Sequence, residues 1–462
     1  MTKAVIAGYV RSPFTAAKKG ELASVRPDDL AAQVVKALVE KTGVNPADLE
    51  DLLLGCAFPE GEQGFNLARL VSLMAGLPIS LGAATINRFC GSSMTSVHVA
   101  AGAIAMGAGD AFICAGVESM SRVPMMGFNP LPNPDLAKAM PGAYIGMGDT
   151  AENVAAKWKI TRKEQEELAV ESHRRAAAAR EAGKFADEIV AIKGRKGTVT
   201  ADGLIRPETT MEILAGLKPA FNAEGVVTAG TSSPLTDGAA ALLVVSEGYA
   251  KKHKLPMIAA VKSVAVCGCA PDIMGIGPVG ASKKALARAG LKASDLDVVE
   301  LNEAFGSQAI ASMRDIGLDP AKVNIDGGAI ALGHPLGAPG AHKTIFPQHP
   351  PRTEASKRTH GFFRSAHVLP IRTAVDIFYS DTASQNTYPG GVQKCSHALR
   401  RRAKPIFQLH FKRSGILPRV QAEEATVQRD AHALFSDISP RDAQREIDGQ
   451  HTLRDFTTCR RC

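Results

Sequence analysis

Two stretches of the sequence decide the fold of this chain. The first is GVNPADLEDLLLGCAF at residues 43–58, and the second is GLKASDLDVVELNEAF at residues 290–305. They align without a gap at an offset of 247 residues, which matches Gly with Gly, Asp-Leu with Asp-Leu and the final Ala-Phe with Ala-Phe. A single gapless register with the same apolar periodicity favours an internal duplication. We therefore expect two similar halves related by a pseudo-twofold axis.

The residues around the first stretch alternate between helical and strand-like patterns. Pro27 opens a segment whose apolar residues recur at helical spacing until Gly43, where a glycine can end a helix. Two uninterrupted apolar runs follow at residues 52–54 and 111–116. Helices that alternate with short buried strands are typical of an α/β sheet covered on both faces, so the predicted fold class is α/β.

The duplication is interrupted and then ends early. We expect a first half at residues 1–120, an inserted loop domain at 121–245 and a second half at 246–342. The apolar run of the first half should recur at residues 358–363, but the sequence there is RTHGFF. The second half is therefore expected to be incomplete.

Within the insertion one helix is strongly specified. Thr161 and Glu164 form a capping box at its start, and Gly183 is placed to end it.

Residues 343–462 differ in composition from the rest. They contain 20 Lys+Arg and 11 Asp+Glu, whereas residues 1–342 contain 34 and 35, so the net charge of +8 arises in this tail. We interpret the tail as mostly disordered. It has neither interleaved aromatic side chains nor the signature of a nucleic-acid-binding module, so nucleic-acid binding is not expected.

The overall composition is that of a globular protein. No apolar run reaches the ~18 residues that would indicate a membrane span. The N-terminus reads as a strand rather than as a signal segment. Eight cysteines show neither a disulfide framework nor zinc-ligand spacing, which favours a reducing, cytoplasmic environment and no metal site.

Cys90 is the candidate nucleophile. It lies in NRFCGSSM at residues 87–94, directly before a helix rich in small residues at 95–106. The positive end of a helix dipole and its unpaired amides favour the thiolate, which is the nucleophilic form. A buried structural cysteine is the alternative.

His334 is the candidate base. It lies in the glycine-rich stretch GGAIALGHPLG at residues 327–337, and the repeat offset sets it opposite Asn87 in the loop of Cys90. The two loops should therefore meet at the pseudo-twofold axis, where a Cys–His pair forms an activated thiol. Asn302 follows a predicted strand of the second half, a position well suited to a site. A turn histidine and a strand-ending asparagine are the structural alternatives.

These motifs together resemble those of the thiolases over about residues 1–341. The resemblance includes the following segments in family order: NRFCGSSM at 87–94, GVESMS at 116–121, MGDTAENVA at 147–155, IRPETT at 205–210, AGTSS at 229–233, NEAF at 302–305 and GGAIALGHPLG at 327–337. The combination is most similar to the degradative 3-ketoacyl-CoA thiolases of fatty-acid β-oxidation. The biosynthetic acetoacetyl-CoA acetyltransferases share most of the motifs and are the alternative within the family.

The resemblance implies a fold and a set of roles. The fold is two α/β halves with an inserted loop domain, and the reaction cleaves 3-ketoacyl-CoA with CoA to acetyl-CoA and a shortened acyl-CoA. Cys90 would carry the acyl group as a thioester, His334 would take protons from the attacking thiols, and Asn302 would hold a water at the thioester oxygen. No cofactor beyond the substrate coenzyme A is implied. The residues that resemble CoA or acyl contacts are Arg206, Ser233 and Met147.

One family element is missing from the sequence. Thiolases use a second cysteine in a C-x-G-x-G segment after the histidine, to protonate the departing enolate of acetyl-CoA. Only Cys395, Cys459 and Cys462 follow His334, and none of them fits that pattern. We interpret the abrupt end of the resemblance as a reading-frame change, and we expect poor solubility and little thiolysis.

Other functions remain open at this stage. An inactive thiolase-like protein or a CoA-binding protein fits the missing cysteine. Condensing enzymes that pair one cysteine with two histidines fit poorly, because the GHPLG loop belongs to the thiolase pattern. The resemblance also implies a homo-oligomer and, for degradative enzymes, association with the hydratase–dehydrogenase subunit of a β-oxidation complex.

Overall fold

A computed structural model describes residues 2–338, 340–341 and 373–375. The strands are β1 Ala4–Arg11, β2 Thr15–Ala16, β3 Asp51–Gly55, β4 Gly82–Ile86, β5 Ala111–Ser119, β6 Ile192–Gly194, β7 Gly197–Val199, β8 Thr236–Ser246, β9 Ala259–Ser263 and β10 Thr373–Val375. The α-helices are α1 Pro27–Thr42, α2 Leu67–Met74, α3 Ser92–Met106, α4 Pro134–Ala139, α5 Met147–Trp158, α6 Arg162–Glu181, α7 Met211–Ala215, α8 Glu247–His253, α9 Gly277–Ala289, α10 Gly306–Ile316 and α11 Ala329–Leu332.

The main sheet is mixed and has the strand order β10-β9-β1-β8-β5-β3-β4, with β2 paired to β8. Strand β3 runs parallel to β4 and β5, whereas β8 is antiparallel to β5 and β1. Strand β9 is antiparallel to β1 and parallel to β10. A separate hairpin joins β6 to β7.

Both faces of the sheet are buried at its centre, as the sequence predicts. Along β3, Leu52 and Leu54 pack into one apolar cluster with residues of α1 and α2, and Leu53 packs into another with residues of α3. Alternate side chains of a strand point to opposite faces, so a run that is apolar throughout needs a helix layer on each side. This confirms the α/β fold class.

The duplication is visible in the backbone. Helix α1 ends at Gly43 with φ 64°, and α9 ends at Gly290 with φ 69°, both in the left-handed region that glycine adopts without strain. Each glycine is followed by a short 3₁₀-helix, Pro46–Asp48 in the first half and Ala293–Asp295 in the second. The two stretches that decide the fold therefore begin with the same local structure.

The second half differs from the first where the repeat runs out. In the first half β3 has a parallel neighbour on each side. The equivalent segment of the second half makes an isolated parallel bridge from Val299 to Val323. The strand expected to precede Asn302 is therefore reduced to this bridge within the described part of the chain. A one-sided pairing leaves a strand without its second row of hydrogen bonds.

The inserted segment carries the expected helix and one unexpected strand. Helix α6 begins at a capping box in which Thr161 and Glu164 bond each other's backbone, and Gly183 follows its end with φ 70°. Strand β8 begins at Thr236, inside the stretch expected to form the insertion at 121–245, yet all its residues are buried in the sheet of the first half. In the structure the first half therefore resumes at Thr236.

Two other sequence expectations bear on the described residues. The segment Phe89–Met106 is, by length and composition, long and apolar enough to cross a membrane. Half of it is buried, however, and α3 packs on β3 and β5 as a core helix. The tail expected at 343–462 lies outside the described residues except at Thr373–Val375, where a short strand adds to β9.

Candidate active site

The loop before α3 fixes the position of Cys90. Cys90 lies in the 3₁₀-turn Phe89–Gly91 and is 8% exposed. Ser92 Oγ holds the turn, since it accepts from Arg88 N at 2.9 Å and donates to the Phe89 carbonyl at 2.6 Å. Phe89 has φ 44°, a left-handed conformation that is strained for a side chain of its size. The strained residue is the immediate neighbour of the candidate nucleophile.

The environment of Cys90 does not favour the thiolate at rest. Burial, assisted by the charge of the nearby Glu118 and opposed by a backbone hydrogen bond, raises the pKa of the Cys90 thiol to about 12. Burial thus opposes the stabilisation of the thiolate that the helix N-terminus is expected to give. The thiol needs a base to become a nucleophile.

His334 and Asn302 form a buried pair. Asn302 Nδ2 lies 3.3 Å from His334 Nε2, and the two residues are 7% and 3% exposed. The backbone N–H of His334 donates to Thr236 Oγ1 at 2.9 Å, and His334 bridges to Leu235 in parallel. Gly333, just before it, has φ 100°, which only glycine adopts easily. These contacts fix the backbone on which the imidazole stands.

The loop that carries His334, residues 328–337 (the His334 loop), lies directly on the first half. A Cβ added at Gly337 would lie 2.4 Å from the Val117 carbonyl oxygen and 2.8 Å from that of Gly55. Leu336 packs in one apolar cluster with Cys90. Just beyond the loop, the N–H of Ala341 donates to Ser93 Oγ at 2.9 Å. The structure thus brings the loops of Cys90 and His334 together, as the repeat offset predicts.

Two buried glutamates lie near Cys90 and Asn302. Glu118 of β5 is 1% exposed, and burial raises its pKa to about 7 despite hydrogen bonds that lower it. Glu303 directly follows Asn302 and is 2% exposed. Both glutamates lie within motifs of the family resemblance, GVESMS and NEAF, but the sequence alone assigns them no role. The signal for Glu118 is a glutamate inside an otherwise apolar strand pattern.

The residues expected to contact CoA lie in different surroundings. Met147 begins α5 and is half-buried in the same apolar cluster as Cys90. Ser233 is half-buried, and its N–H donates to the carbonyl of Ala304 in the NEAF segment at 2.9 Å. Arg206 is exposed, its N–H donates to Nδ1 of His173 in the inserted segment at 3.2 Å, and its charge helps burial to lower the pKa of His173 to about 4. Met147 and Ser233 thus contact residues of the candidate site, whereas the hydrogen bond of Arg206 is to His173 within the insertion itself.

The described residues offer neither a metal-ligand cluster nor a disulfide. They contain no group of three or more His, Cys, Asp or Glu side chains that could hold a metal ion. Within the described part of the chain, no disulfide joins Cys56, Cys90, Cys114, Cys267 or Cys269. The arrangement that remains is a buried thiol on one loop and a buried His–Asn pair whose neighbours Leu336 and Ala304 share an apolar cluster with that thiol, which is suited to nucleophilic acyl transfer.

Solved structures share this fold. The chain superposes on the acetyl-CoA acetyltransferase of Bacillus anthracis with a TM-score of 0.69 and 38% identity, covering 75% of this chain and 91% of that one. It superposes on human mitochondrial 3-ketoacyl-CoA thiolase with a TM-score of 0.69 and 37% identity, covering 78% of this chain and 93% of that one.

Sequence relatives agree with the structures. The chain is 46% identical to the 3-ketoacyl-CoA thiolase of Bacillus subtilis over 358 residues, which are 75% of this chain and 92% of the relative. It is 49% identical to that of Pseudoalteromonas translucida over 351 residues, 74% of this chain and 90% of the relative. The family model for the thiolase N-terminal domain matches residues 4–248, and that for the thiolase C-terminal domain matches residues 255–350. Two family models in tandem over most of its length, close relatives and a shared fold together establish that this chain belongs to the thiolase family.

Proposed function

We propose that the chain is an acyltransferase that cleaves a 3-ketoacyl-CoA with CoA, giving acetyl-CoA and an acyl-CoA two carbons shorter. The observation that carries this proposal is the buried Asn302–His334 pair, 3.3 Å apart, whose histidine lies on a loop that shares an apolar cluster with Cys90 through Leu336. The relatives that bear the name 3-ketoacyl-CoA thiolase support the choice of substrate class.

The first half-reaction acylates Cys90. Because burial keeps the thiol protonated, His334 takes its proton as the sulfur attacks the 3-keto carbon. The C2–C3 bond then breaks, Cys90 keeps the acyl group as a thioester, and acetyl-CoA leaves as an enolate that must gain a proton. Asn302, held beside the imidazole, would orient a water toward the oxygen on which charge develops.

The second half-reaction returns the acyl group to CoA. His334 takes the proton of the incoming CoA thiol, the sulfur attacks the thioester, and Cys90 leaves with a proton. We assign CoA or acyl contacts to Ser233 and Met147, which border the Cys90 cluster, and to Arg206, whose exposed guanidinium suits a phosphate group. The sulfur chemistry needs coenzyme A as substrate and no further cofactor or metal.

The protonation of the enolate is the step for which the sequence offers no cysteine in the family pattern. Residues 335–462 contain Cys395, Cys459 and Cys462, none within a C-x-G-x-G segment. We infer that acylation of Cys90 by acetyl-CoA, which breaks no carbon–carbon bond, is retained, and that turnover of a 3-ketoacyl-CoA is slow. If turnover is zero, the chain is an inactive thiolase-like protein that binds CoA.

Two assays test the proposal. Intact-mass spectrometry should show acetyl-CoA adding one acetyl group to the wild-type chain and none to Cys90→Ala. Thiolysis of acetoacetyl-CoA, followed by loss of enolate absorbance, measures the complete reaction. A wild-type chain that binds CoA but never gains the acetyl group would refute the role of Cys90.

A second candidate within the family is the biosynthetic condensation of two acetyl-CoA molecules. The similarity to the Bacillus anthracis acetyl-CoA acetyltransferase favours it. Chain-length dependence separates the two: cleavage of long 3-ketoacyl-CoA favours the degradative function, and activity restricted to acetoacetyl-CoA favours the biosynthetic one.

We also propose that the chain forms a homo-oligomer through the edge of its main sheet. Strand β4 ends the strand order, and large exposed apolar side chains flank it, among them Phe65 at 93% and Ile79 at 81% exposure. An open edge beside an apolar patch favours pairing with another copy. Light scattering of the wild type and of Phe65→Glu with Ile79→Glu should show dissociation in the double variant. We further propose that the chain is cytoplasmic and that it associates with other β-oxidation enzymes.

A further inference from the structure

The His334 loop is anchored at both ends by buried carboxylates. Toward its start, the N–H of Ile330 donates to Glu303 Oε2 at 3.2 Å. At its end, Gly337 packs on the backbone of β5 at Val117, the residue before Glu118, and its N–H contributes to lowering the pKa of the Glu118 carboxyl. One anchor therefore lies four residues before His334 and the other three residues after it, and both lie out of solvent.

Glu303 is itself fixed by the second half and by α6. Its Oε2 accepts from Ser172 Oγ at 2.8 Å, and its Oε1 accepts from Asn324 Nδ2 at 2.7 Å. Ser172 Oγ in turn accepts from the N–H of Gly328, the first residue of the loop, at 3.0 Å. A Cβ added at Gly328 would lie 2.0 Å from the Glu303 carboxyl carbon, so the loop backbone rests on this carboxylate.

Glu118 is fixed by the first half. It accepts from Ala57 N at 2.8 Å, from Phe58 N at 3.3 Å and from Gln63 Nε2 at 2.7 Å. The same carboxylate thus ties the residues that follow β3 to the end of the His334 loop. Buried amide donors that lose their acceptor cost ~1–3 kcal/mol each, so these bonds constrain the loop strongly.

We propose that Glu118 and Glu303 are positioning residues that hold the His334 loop from both ends and so keep the imidazole beside Asn302 and the Cys90 thiol. The inference rests on the proposed role of His334 as the base of Cys90. The two oxygens of a carboxylate can accept from several N–H groups at once. The amide of glutamine has only one accepting oxygen, and its NH2 group would face the remaining N–H donors. Glu→Gln therefore removes the anchor while keeping the size of the side chain.

The test measures Cys90 itself and needs no acyl transfer. The full-length chain and the variants Glu118→Gln, Glu303→Gln and His334→Ala are treated with iodoacetamide across a range of pH. Alkylation of Cys90 is followed by peptide mass spectrometry, and thermal melting reports folding. The matched control is Glu152→Gln, because Glu152 also accepts two backbone N–H groups, from Val226 and Val227 at 3.0 Å each, but on a different loop.

The expected result has a definite direction. Both Gln variants should be alkylated about tenfold more slowly at neutral pH, as for a rise of one unit in the thiol pKa, in the same direction as His334→Ala. Glu152→Gln should match the wild type. If Glu118 acted only through its charge, Glu118→Gln would be alkylated faster than the wild type, since the charge of Glu118 raises the pKa of Cys90.

The outcomes separate the two proposals. Slow alkylation in His334→Ala with wild-type rates in both Gln variants overturns the anchoring role alone. Wild-type alkylation in His334→Ala overturns the base role and the anchoring role with it. Where a Gln variant fails to melt cooperatively, hydrogen exchange of residues 328–337 in the wild type decides: slow exchange at Ile330 and Gly337 supports the anchors, and fast exchange overturns them.

Discussion

Replacing Gly337 with alanine should impair Cys90 chemistry far more than it impairs folding. The added Cβ would lie 2.4 Å from the Val117 carbonyl oxygen and 2.9 Å from Cys56 Cα, and both neighbours are backbone atoms that cannot rotate away. To restore the 3.4 Å of an ordinary contact, the loop must move by about 1 Å. Overpacking of this kind costs ~1–3 kcal/mol of stability, whereas a 1 Å misplacement of reacting groups costs about 10²-fold in rate.

The assay is the rate of Cys90 acetylation by acetyl-CoA, with thermal melting on the same samples. The matched control is Gly102→Ala in the middle of α3, where the structure leaves open space for a Cβ. Alanine there should leave the rate unchanged and add ~0.5–1 kcal/mol of stability. A Gly337→Ala chain that acetylates at the wild-type rate would show that the close approach of the loop to β5 does not control the chemistry.

Three further predictions follow from the site and from α6. Asn302→Ala should slow acetylation about 10²-fold without lowering the melting temperature by more than a few degrees, and a wild-type rate would contradict its role. Because burial raises the pKa of Cys90 to about 12, alkylation in His334→Ala should rise about tenfold per pH unit through neutral pH, so a plateau there would be the contrary result. The N–H of Thr161, its hydroxyl and Arg314 lower the pKa of Glu164 to about 2, so its stabilising effect is present above its ordinary pKa and is lost as pH falls through the lowered one. Thr161→Ala should cost ~1 kcal/mol in thermal melts at neutral pH, and an unchanged melt would contradict the cap.

The fold could be predicted from the sequence where local pattern and global structure agree. The apolar run of β3 is buried on both faces, and the repeated glycines end equivalent helices. Strand β8 is the exception. Its residues are apolar and β-prone, but nothing local to them says which sheet they join. Their pairing with β1 and β5 is set by contacts with residues more than a hundred positions earlier.

The candidate site could be predicted in its residues but not in its electrostatics. Repeat and motif placed Cys90, His334 and Asn302, and the structure brings their loops together. The raised pKa of Cys90 could not be predicted, because a helix N-terminus is visible in sequence and burial is not. Glu118 was passed over for the same reason: its partners come from segments about 60 and 220 residues away. The roles of these residues stay predictions until the assays above are done.

The two reactions of Cys90, acetylation by acetyl-CoA and cleavage of a 3-ketoacyl-CoA, differ in the protons that must be moved. Acetylation by acetyl-CoA needs one proton to move from Cys90 to His334 and then to the departing CoA sulfur, so the His–Asn pair suffices. Cleavage of a 3-ketoacyl-CoA sends the electron pair of the broken C2–C3 bond to a carbon, which must then gain a proton from an acid. Among the residues after His334, no cysteine stands in the family pattern for that acid. The ratio of the two rates therefore isolates the missing step, because damage to the Cys90–His334 pair lowers both rates, whereas loss of the second acid lowers only cleavage.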